Sequence, residues 1–299
     1  MRRLIQFASY SNYFIALCTV ALCVETAFQH NLPLNNAGFY GCIFFSCAAF
    51  YTSIYLKNIN SFLVDDRLDW YRRHKYIKKL QTLNFIGAGI GFLLFAGNWS
   101  VIDFELSLIN YFTVLFITLL ALLYAFSLIP VYKNLRSIGF AKPFILGFTW
   151  AGVVTLFPVV ALQMESKISG NIFQHVSMWL FLKNFMFISV LCIMFDLKDI
   201  DTDKRTHVKT YSVLLGINKT ITFIIIPLII AGIVSFIIFT YINHFPAARI
   251  LFNASPYVFL LLVTLSLHKN KPLLYYLFVV DGLMILKAIC GILGAQLIK

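Results

Sequence analysis

The run WLFLKNFMFISVLCIMFDLKDIDTDKR, residues 179–205, sets a long apolar block directly against a short segment of interleaved acids and bases. The block, read as residues 174–195, has the length of about 20 residues needed to cross the hydrocarbon core of a bilayer. Eight similar blocks accompany it, at 8–28, 38–63, 80–97, 106–131, 143–162, 219–241, 252–267 and 273–297. The chain of 299 residues is 60% hydrophobic and 12% charged, with a mean hydropathy of +0.84. A soluble domain carries roughly twice that charged fraction. The pattern therefore predicts an all-α integral membrane protein of about nine spans. The first block has the basic start of a signal peptide (Arg2, Arg3) but is long and is followed by eight more, so it reads as a retained helix. In 80–97, Gly87, Gly89 and Gly91 suit either a kink or a close helix contact. The six cysteines fall mostly inside the apolar blocks and show neither metal spacing nor a disulfide framework.

The net charge of +12 is distributed by topology. Arg67, Arg72, Arg73, Lys75, Lys78 and Lys79 follow the second block, and Lys133, Arg136 and Lys142 follow the fourth. Lys198, Lys204, Arg205 and Lys209 follow the sixth, and Lys269 and Lys271 the eighth. The opposite side offers little beyond Lys167, Arg249 and Lys299. Cytoplasmic loops collect Lys and Arg, which predicts a cytoplasmic N-terminus, cytoplasmic loops after the even-numbered spans and an external C-terminus. The expected location is the plasma (inner) membrane of a prokaryote. Because insertion alone produces this charge, nucleic acid is not needed to explain it.

Seven of the 12 acidic residues lie in two windows, Asp65, Asp66 and Asp69 after the second block and Asp196, Asp199, Asp201 and Asp203 after the sixth. If helix continues locally, Asp65 and Asp69 share a face, as do Asp199 and Asp203, with Asp196 joining the second face. Like charges at that spacing repel unless a cation lies between them. Mg²⁺ is a hard ion that bridges one or two carboxylates to substrate phosphates, and nearby Arg and Lys would neutralise phosphate oxygens. A solvated acidic loop balanced by its basic neighbours would account for one cluster. Two clusters at equivalent positions, in a chain otherwise nearly free of acids, favour the metal reading. The same placement suggests halves of about 1–140 and 141–270, each of four helices, with 273–297 as an extra helix.

At these residues the sequence resembles the UbiA superfamily of intramembrane prenyltransferases, whose two aspartate motifs commonly read Asn-Asp-x-x-Asp-x-x-x-Asp and Asp-x-x-x-Asp. Asp65 and Asp69 match the end of the first, with Ser61 in place of its Asn and Phe62 in place of its first Asp. Asp199 and Asp203 match the second. Thr210, Val213, Leu215 and Gly216 resemble the downstream Thr-Leu-Pro-Val-x-Leu-Gly run, and Tyr132 to Arg136 a Tyr-x-x-x-Lys element. The resemblance implies Mg²⁺-dependent transfer of a prenyl group from a polyprenyl diphosphate to a lipid-soluble, aromatic acceptor. It makes Asp65, Asp69, Asp199 and Asp203 the expected catalytic and metal-binding residues, with Asp196 as a further metal ligand. Ser61, Arg72, Tyr132, Arg136, Lys142, Lys204 and Lys209 become the expected substrate-binding set. Ser9, Tyr10, Ser11 and Asn12 replace an Arg-Pro pair common in quinone-type members, leaving an acidic acceptor without a basic partner on the first helix.

Polar groups inside the blocks (Glu25, Asn84, Lys183, Asn184, Asp281 and Lys287) are costly against lipid and are expected to face the bundle. Asn84 reads as a helix–helix hydrogen bond and Asp281 as a structural member. Two rival functions follow from the same residues. A cation transporter would continue its ionisable groups toward the midplane, whereas these clusters stop at the ends of the spans. A non-catalytic relative would keep the fold without the chemistry, and Ser61-Phe62 is the feature that favours it.

Overall fold

The computed structural model describes residues 2–59, 66–97, 108–125, 138–165, 167–168 and 178–296. These form thirteen helices and no strand. They are α1 (Arg2–Tyr10), α2 (Tyr13–Gln29), α3 (Ala37–Lys57), α4 (Asp66–Arg73), α5 (Ile77–Ala96), α6 (Leu108–Ala125) and α7 (Lys142–Met164), followed by α8 (Met178–Lys198), α9 (Ile200–Arg205), α10 (Tyr211–Leu215), α11 (Ile217–Ile242), α12 (Ala247–Ser266) and α13 (Leu273–Gln296). Eight are long and apolar enough to cross a membrane, and the bent pair α1–α2 makes up to nine. The chain is a multi-pass integral membrane protein.

The first span differs from the uniform helix expected over 8–28. The chain turns by 71° between α1 and α2, and Asn12 sits in the left-handed region at φ 68°, which Asn tolerates better than most residues. A helix end leaves its last carbonyls without intrahelical donors. Here Ser11 Oγ donates to the Phe7 carbonyl at 2.7 Å, and Arg67 of α4 caps Ser9 and Tyr10 from across the bundle. The second span also ends earlier than its apolar block, at Lys57, and the acidic segment after it forms the separate short helix α4.

Three spans contain a widened π turn, at Gly152–Leu156 in α7, Ile221–Ile225 in α11 and Tyr276–Val280 in α13. Two have a visible cause. Pro158 and Pro227 follow them, and a helical proline removes one N–H and crowds the carbonyl four residues back, which the extra residue relieves. The third has no proline and ends immediately before Asp281.

Small residues set the closest helix contacts. A Cβ on Gly38 would lie 2.5 Å from the Phe95 nitrogen, and one on Gly91 2.5 Å from the Cys42 nitrogen, so α3 and α5 meet backbone to backbone. Gly89, by contrast, faces open space. The core joins Leu22 of α2, Val154 of α7, Phe187 and Met194 of α8, Ile225 of α11, Leu260 of α12 and Val280 of α13. Leu93, Leu108, Leu251 and many other large apolar residues point outward, as a lipid-facing surface requires. Inside the bundle Glu25 accepts from Lys287 at 2.6 Å, Asn184 Nδ2 donates to Thr155 Oγ1 at 2.9 Å, and Tyr13 donates to Asn84 Oδ1 at 3.1 Å. The expected turning-in of these polar groups is what the structure shows.

Candidate functional site

The ends of α3, α7, α8 and α13, together with α4 and the α1–α2 break, surround one cavity of ≈ 170 Å³. Its position follows from the local sequence. Pro143 at the first turn of α7 starts that helix where Lys142 can reach inward. Lys142 Nζ lies 2.5 Å from Asp196 Oδ1 at the end of α8 and 3.8 Å from Asp203 Oδ2 on α9. The helix breaks at Asp199, between α8 and α9, yet the Asp203 N–H still donates to the Asp199 carbonyl at 2.8 Å. The end of α8 and the short α9 therefore keep Asp196, Asp199 and Asp203 on consecutive turns.

The segment after α9 is fixed to the same end. Ser212 Oγ donates to the Asp196 carbonyl at 2.8 Å and shares a 3.0 Å hydrogen bond with Thr210 Oγ1. A Cβ on Gly139 would come within 2.1 Å of the Lys209 carbonyl oxygen. Glycine at 139 thus lets the strand of chain that delivers Lys142 lie on the backbone of Lys209 and Thr210.

Lys142, Asp196 and Asp199 line the cavity, with Lys198 paired to Asp199 at 2.6 Å. Asp203 joins them through Lys142. Asp69 does not line it: this residue of α4 is half-exposed and pairs with Arg72 at 2.7 Å, while Arg72 Nε donates to the Ile59 carbonyl at 2.9 Å. Lys204 and Lys209 are exposed and do not line the cavity either. Ser61, Asp65, Tyr132 and Arg136 lie outside the described residues.

Three cavity residues escaped the sequence reading as site residues. Arg67 is buried and donates to the carbonyls of Ser9 (3.0 Å) and Tyr10 (3.1 Å), to the Tyr55 hydroxyl (3.2 Å) and to Asn12 Oδ1. Burial works against its charge, but Tyr55, Tyr71 and Asp281 outweigh that and its pKa lies above the ordinary value. Burial also pushes the Tyr71 hydroxyl up. Asn12 completes this group by donating to Thr52 Oγ1 at 2.9 Å and to the Tyr71 hydroxyl at 3.0 Å. In the sequence Arg67 looks like any other positive-inside charge, and only its burial separates it from Arg73. The third residue is Asp281, whose place inside an apolar block was the available signal.

A second cavity of ≈ 220 Å³, almost wholly apolar, adjoins the first. Tyr51, Tyr124, Leu146 and Trp150 border both, and Trp150 Nε1 donates to the Tyr51 hydroxyl at 2.7 Å. From there the walls are residues such as Ile43, Phe50, Ala121, Leu122, Val153 and Phe157. A charged chamber thus opens onto an apolar one with aromatic residues at the junction, an arrangement suited to a molecule with an ionic head and a hydrocarbon tail.

Among the described residues no three His, Cys, Asp or Glu side chains converge as a metal cluster. The second aspartate window nevertheless retains capacity for a hard ion. Asp196 is buried, and its Oδ2 has no hydrogen-bond partner while Oδ1 is held by Lys142. Carboxylate oxygen of this kind fits Mg²⁺, which keeps some ligands for water and phosphate rather than taking all of them from protein.

No protein-family model matches the sequence, and no curated protein matches it. Two solved structures share the fold. One comes from work on digeranylgeranylglyceryl phosphate synthase in membranes, with a TM-score of 0.55 and 16% identity over 99% of each chain. The other is an apo UbiA homologue from Aeropyrum pernix K1, with a TM-score of 0.66 and 13% identity over 93% of this chain and 96% of that one. At these identities the likeness is one of fold, and it extends along essentially the whole chain: the protein has the helical architecture of UbiA-type membrane proteins.

Proposed function

We propose that the protein is a Mg²⁺-dependent intramembrane prenyltransferase, moving a prenyl group from a polyprenyl diphosphate to a lipid-soluble acceptor. The observation that carries this reading is the pair of adjoining cavities, one bordered by Lys142, Asp196 and Asp199 and the other almost wholly apolar. The diphosphate sits at the charged end and the isoprenoid tail in the apolar chamber. Asp196, Asp199 and Asp203 would hold the metal, and the first aspartate motif adds Asp65 and Asp69 as its further ligands. The two halves, about 1–140 and 141–270, each supply one cluster. This end faces the cytoplasm, as the distribution of Lys and Arg requires.

Bound Mg²⁺ supplies Lewis-acid stabilisation of the leaving diphosphate. The protein's own groups do the rest. Lys142 and Lys198 hold the carboxylates in place and offer positive charge to phosphate oxygens, Arg72, Arg136, Lys204 and Lys209 add to that field, and Ser61 and Tyr132 bind the head group. Tyr51, Tyr124 and Trp150, at the junction of the two cavities, enclose the start of the tail and exclude water from the allylic carbon.

The test is binding of a non-hydrolysable farnesyl or geranylgeranyl diphosphate analogue to the purified protein, with and without Mg²⁺. Magnesium-dependent binding that is lost in Asp196→Asn/Asp199→Asn supports the donor site. Absence of binding across several chain lengths, in protein shown to be folded, would reject it in favour of a non-catalytic relative.

A further inference from the structure

Two acids, Glu25 and Asp281, lie deep within the described spans, and they are treated differently. Glu25 is fully buried and faces two ammonium groups, Lys287 at 2.6 Å and Lys183 at 3.8 Å. Asp281 is 7% exposed, and no hydrogen bond or ion pair reaches its side chain among the described residues; only its backbone carbonyl is used, by Cys18 Sγ at 3.5 Å. An ionisable side chain inside a membrane bundle is expensive without a partner. The Asp281 carboxyl instead borders the charged cavity, about 12 Å along α13 from Leu273 at 1.5 Å per residue.

Its surroundings narrow what it can meet. Leu277, one turn earlier, and Met284, almost one turn later, border the same cavity, so Asp281 is the polar residue on the α13 stretch of its wall, within electrostatic reach of Arg67. The π turn Tyr276–Val280 ends immediately before it, and such turns re-aim the face of a helix and are frequent at functional sites. Each cation of the cavity is already engaged. Lys142 holds Asp196, Lys198 holds Asp199, and Arg67 donates to the carbonyls at the α1–α2 break and to Asn12 while its charge is already set against Asp281. An acidic acceptor arriving beside Asp281 would therefore meet a second negative charge with no uncommitted cation to balance it. A neutral molecule with a hydroxyl would supply the donor that the carboxyl lacks.

We propose that Asp281 is the acceptor-binding residue and that the acceptor is a neutral, hydroxyl-bearing apolar molecule, a phenol or an alcohol, whose O–H donates to the Asp281 carboxyl. This rests on the prenyltransferase reading for the word acceptor, but the binding preference it states does not depend on turnover. Asp281 borders the charged cavity and not the apolar chamber, so an acceptor bound to it would share the cavity with the head group of the donor.

The experiment measures three probes of nearly equal size on the full chain in nanodiscs: 2-naphthol, its methyl ether and 2-naphthoate. The wild-type protein is expected to bind 2-naphthol about tenfold or more tightly than either of the others, the ratio expected for one hydrogen bond to a charged group. Asp281→Asn is expected to remove that preference for 2-naphthol over the ether. The farnesyl diphosphate analogue with Mg²⁺ is measured in parallel, and binding of it by Asp281→Asn at any affinity shows that the variant is folded. Equal binding of all three probes to wild type overturns the proposal without any variant, as does a preference for 2-naphthoate. Retention of naphthol selectivity in Asp281→Asn overturns the assignment to this residue. Failure of the diphosphate analogue to bind wild type rejects the donor site instead, and leaves the naphthol preference to be read separately.

Discussion

Lys142 at the start of α7 meets Asp196 at the end of α8 at 2.5 Å, with its ammonium also within 3.8 Å of Asp203. One lysine therefore compensates two buried carboxylates that would otherwise repel each other. Removing a single partner of a buried pair costs about 3–5 kcal/mol, because the remaining charge is left uncompensated. Lys142→Met is expected to lower the melting temperature markedly, and adding Asp196→Asn to recover most of the loss without restoring diphosphate binding. Thermal melting in detergent with the binding assay alongside checks both. A fully stable Lys142→Met would show that the pair contributes nothing to this end of the bundle.

The contact of α3 with α5 gives a prediction with an internal control. Gly91 and Gly89 lie one position from being neighbours on the same helix, yet a Cβ at 91 meets backbone at 2.5 Å and a Cβ at 89 meets nothing. Gly91→Ala must separate the helices and is expected to reduce stability and yield of folded protein. Gly89→Ala is expected to be neutral or to stabilise by up to about 1 kcal/mol through helix propensity. Equal effects of the two substitutions on melting temperature would contradict the backbone contact.

The difference between these glycines also shows what the sequence could and could not convey. Spans were legible because about 20 consecutive apolar residues have few other uses, and the expected blocks coincide with the observed helices to within a few residues at most ends. The break at Asn12 was hidden, since its cause is a partner far away in the chain: Arg67 supplies the donors that a continued helix would have supplied. Period and composition likewise could not say which of Gly87, Gly89 and Gly91 touches α3. In the site, the second aspartate window was legible as a charged cluster at the end of a span. Its balance by Lys142 was not, because the pair is 54 residues apart. Asp281 carried its signal in the sequence, but whether an intramembrane acid is paired is a three-dimensional fact, and here it is what distinguishes Asp281 from Glu25.

Glu25 itself sits in a network that joins α2, α8, α12 and α13. Lys287 donates to it at 2.6 Å, Lys183 donates to Asn253 Oδ1 at 2.7 Å, and Gln29 donates to Asn253 Oδ1 at 3.0 Å and to the Gly291 carbonyl at 2.9 Å. None of these residues borders the charged cavity. Lys287→Met is expected to destabilise by more than Lys183→Met, since the nearer ammonium is lost. A Glu25→Gln/Lys287→Met pair should cost less than the sum of its single changes. Additive losses in a double-mutant cycle of melting or denaturant stability would show that the two residues do not interact.

Tail length is the remaining property the cavities determine. Ala121 of α6 borders the apolar chamber but not the charged one, so a large side chain there fills tail space and leaves the head group untouched. Each methylene kept from burial forfeits about 0.8 kcal/mol, so the penalty should grow with the length of chain displaced. Ala121→Trp is expected to weaken a geranylgeranyl diphosphate analogue by about tenfold or more while changing a geranyl analogue by less than about threefold. Competition binding with geranyl, farnesyl and geranylgeranyl analogues on the wild type and the variant reads this directly. Because the head group contributes equally to all three, a uniform loss would mean that the tail runs along a different wall of the bundle, whereas a length-graded loss places it against α6.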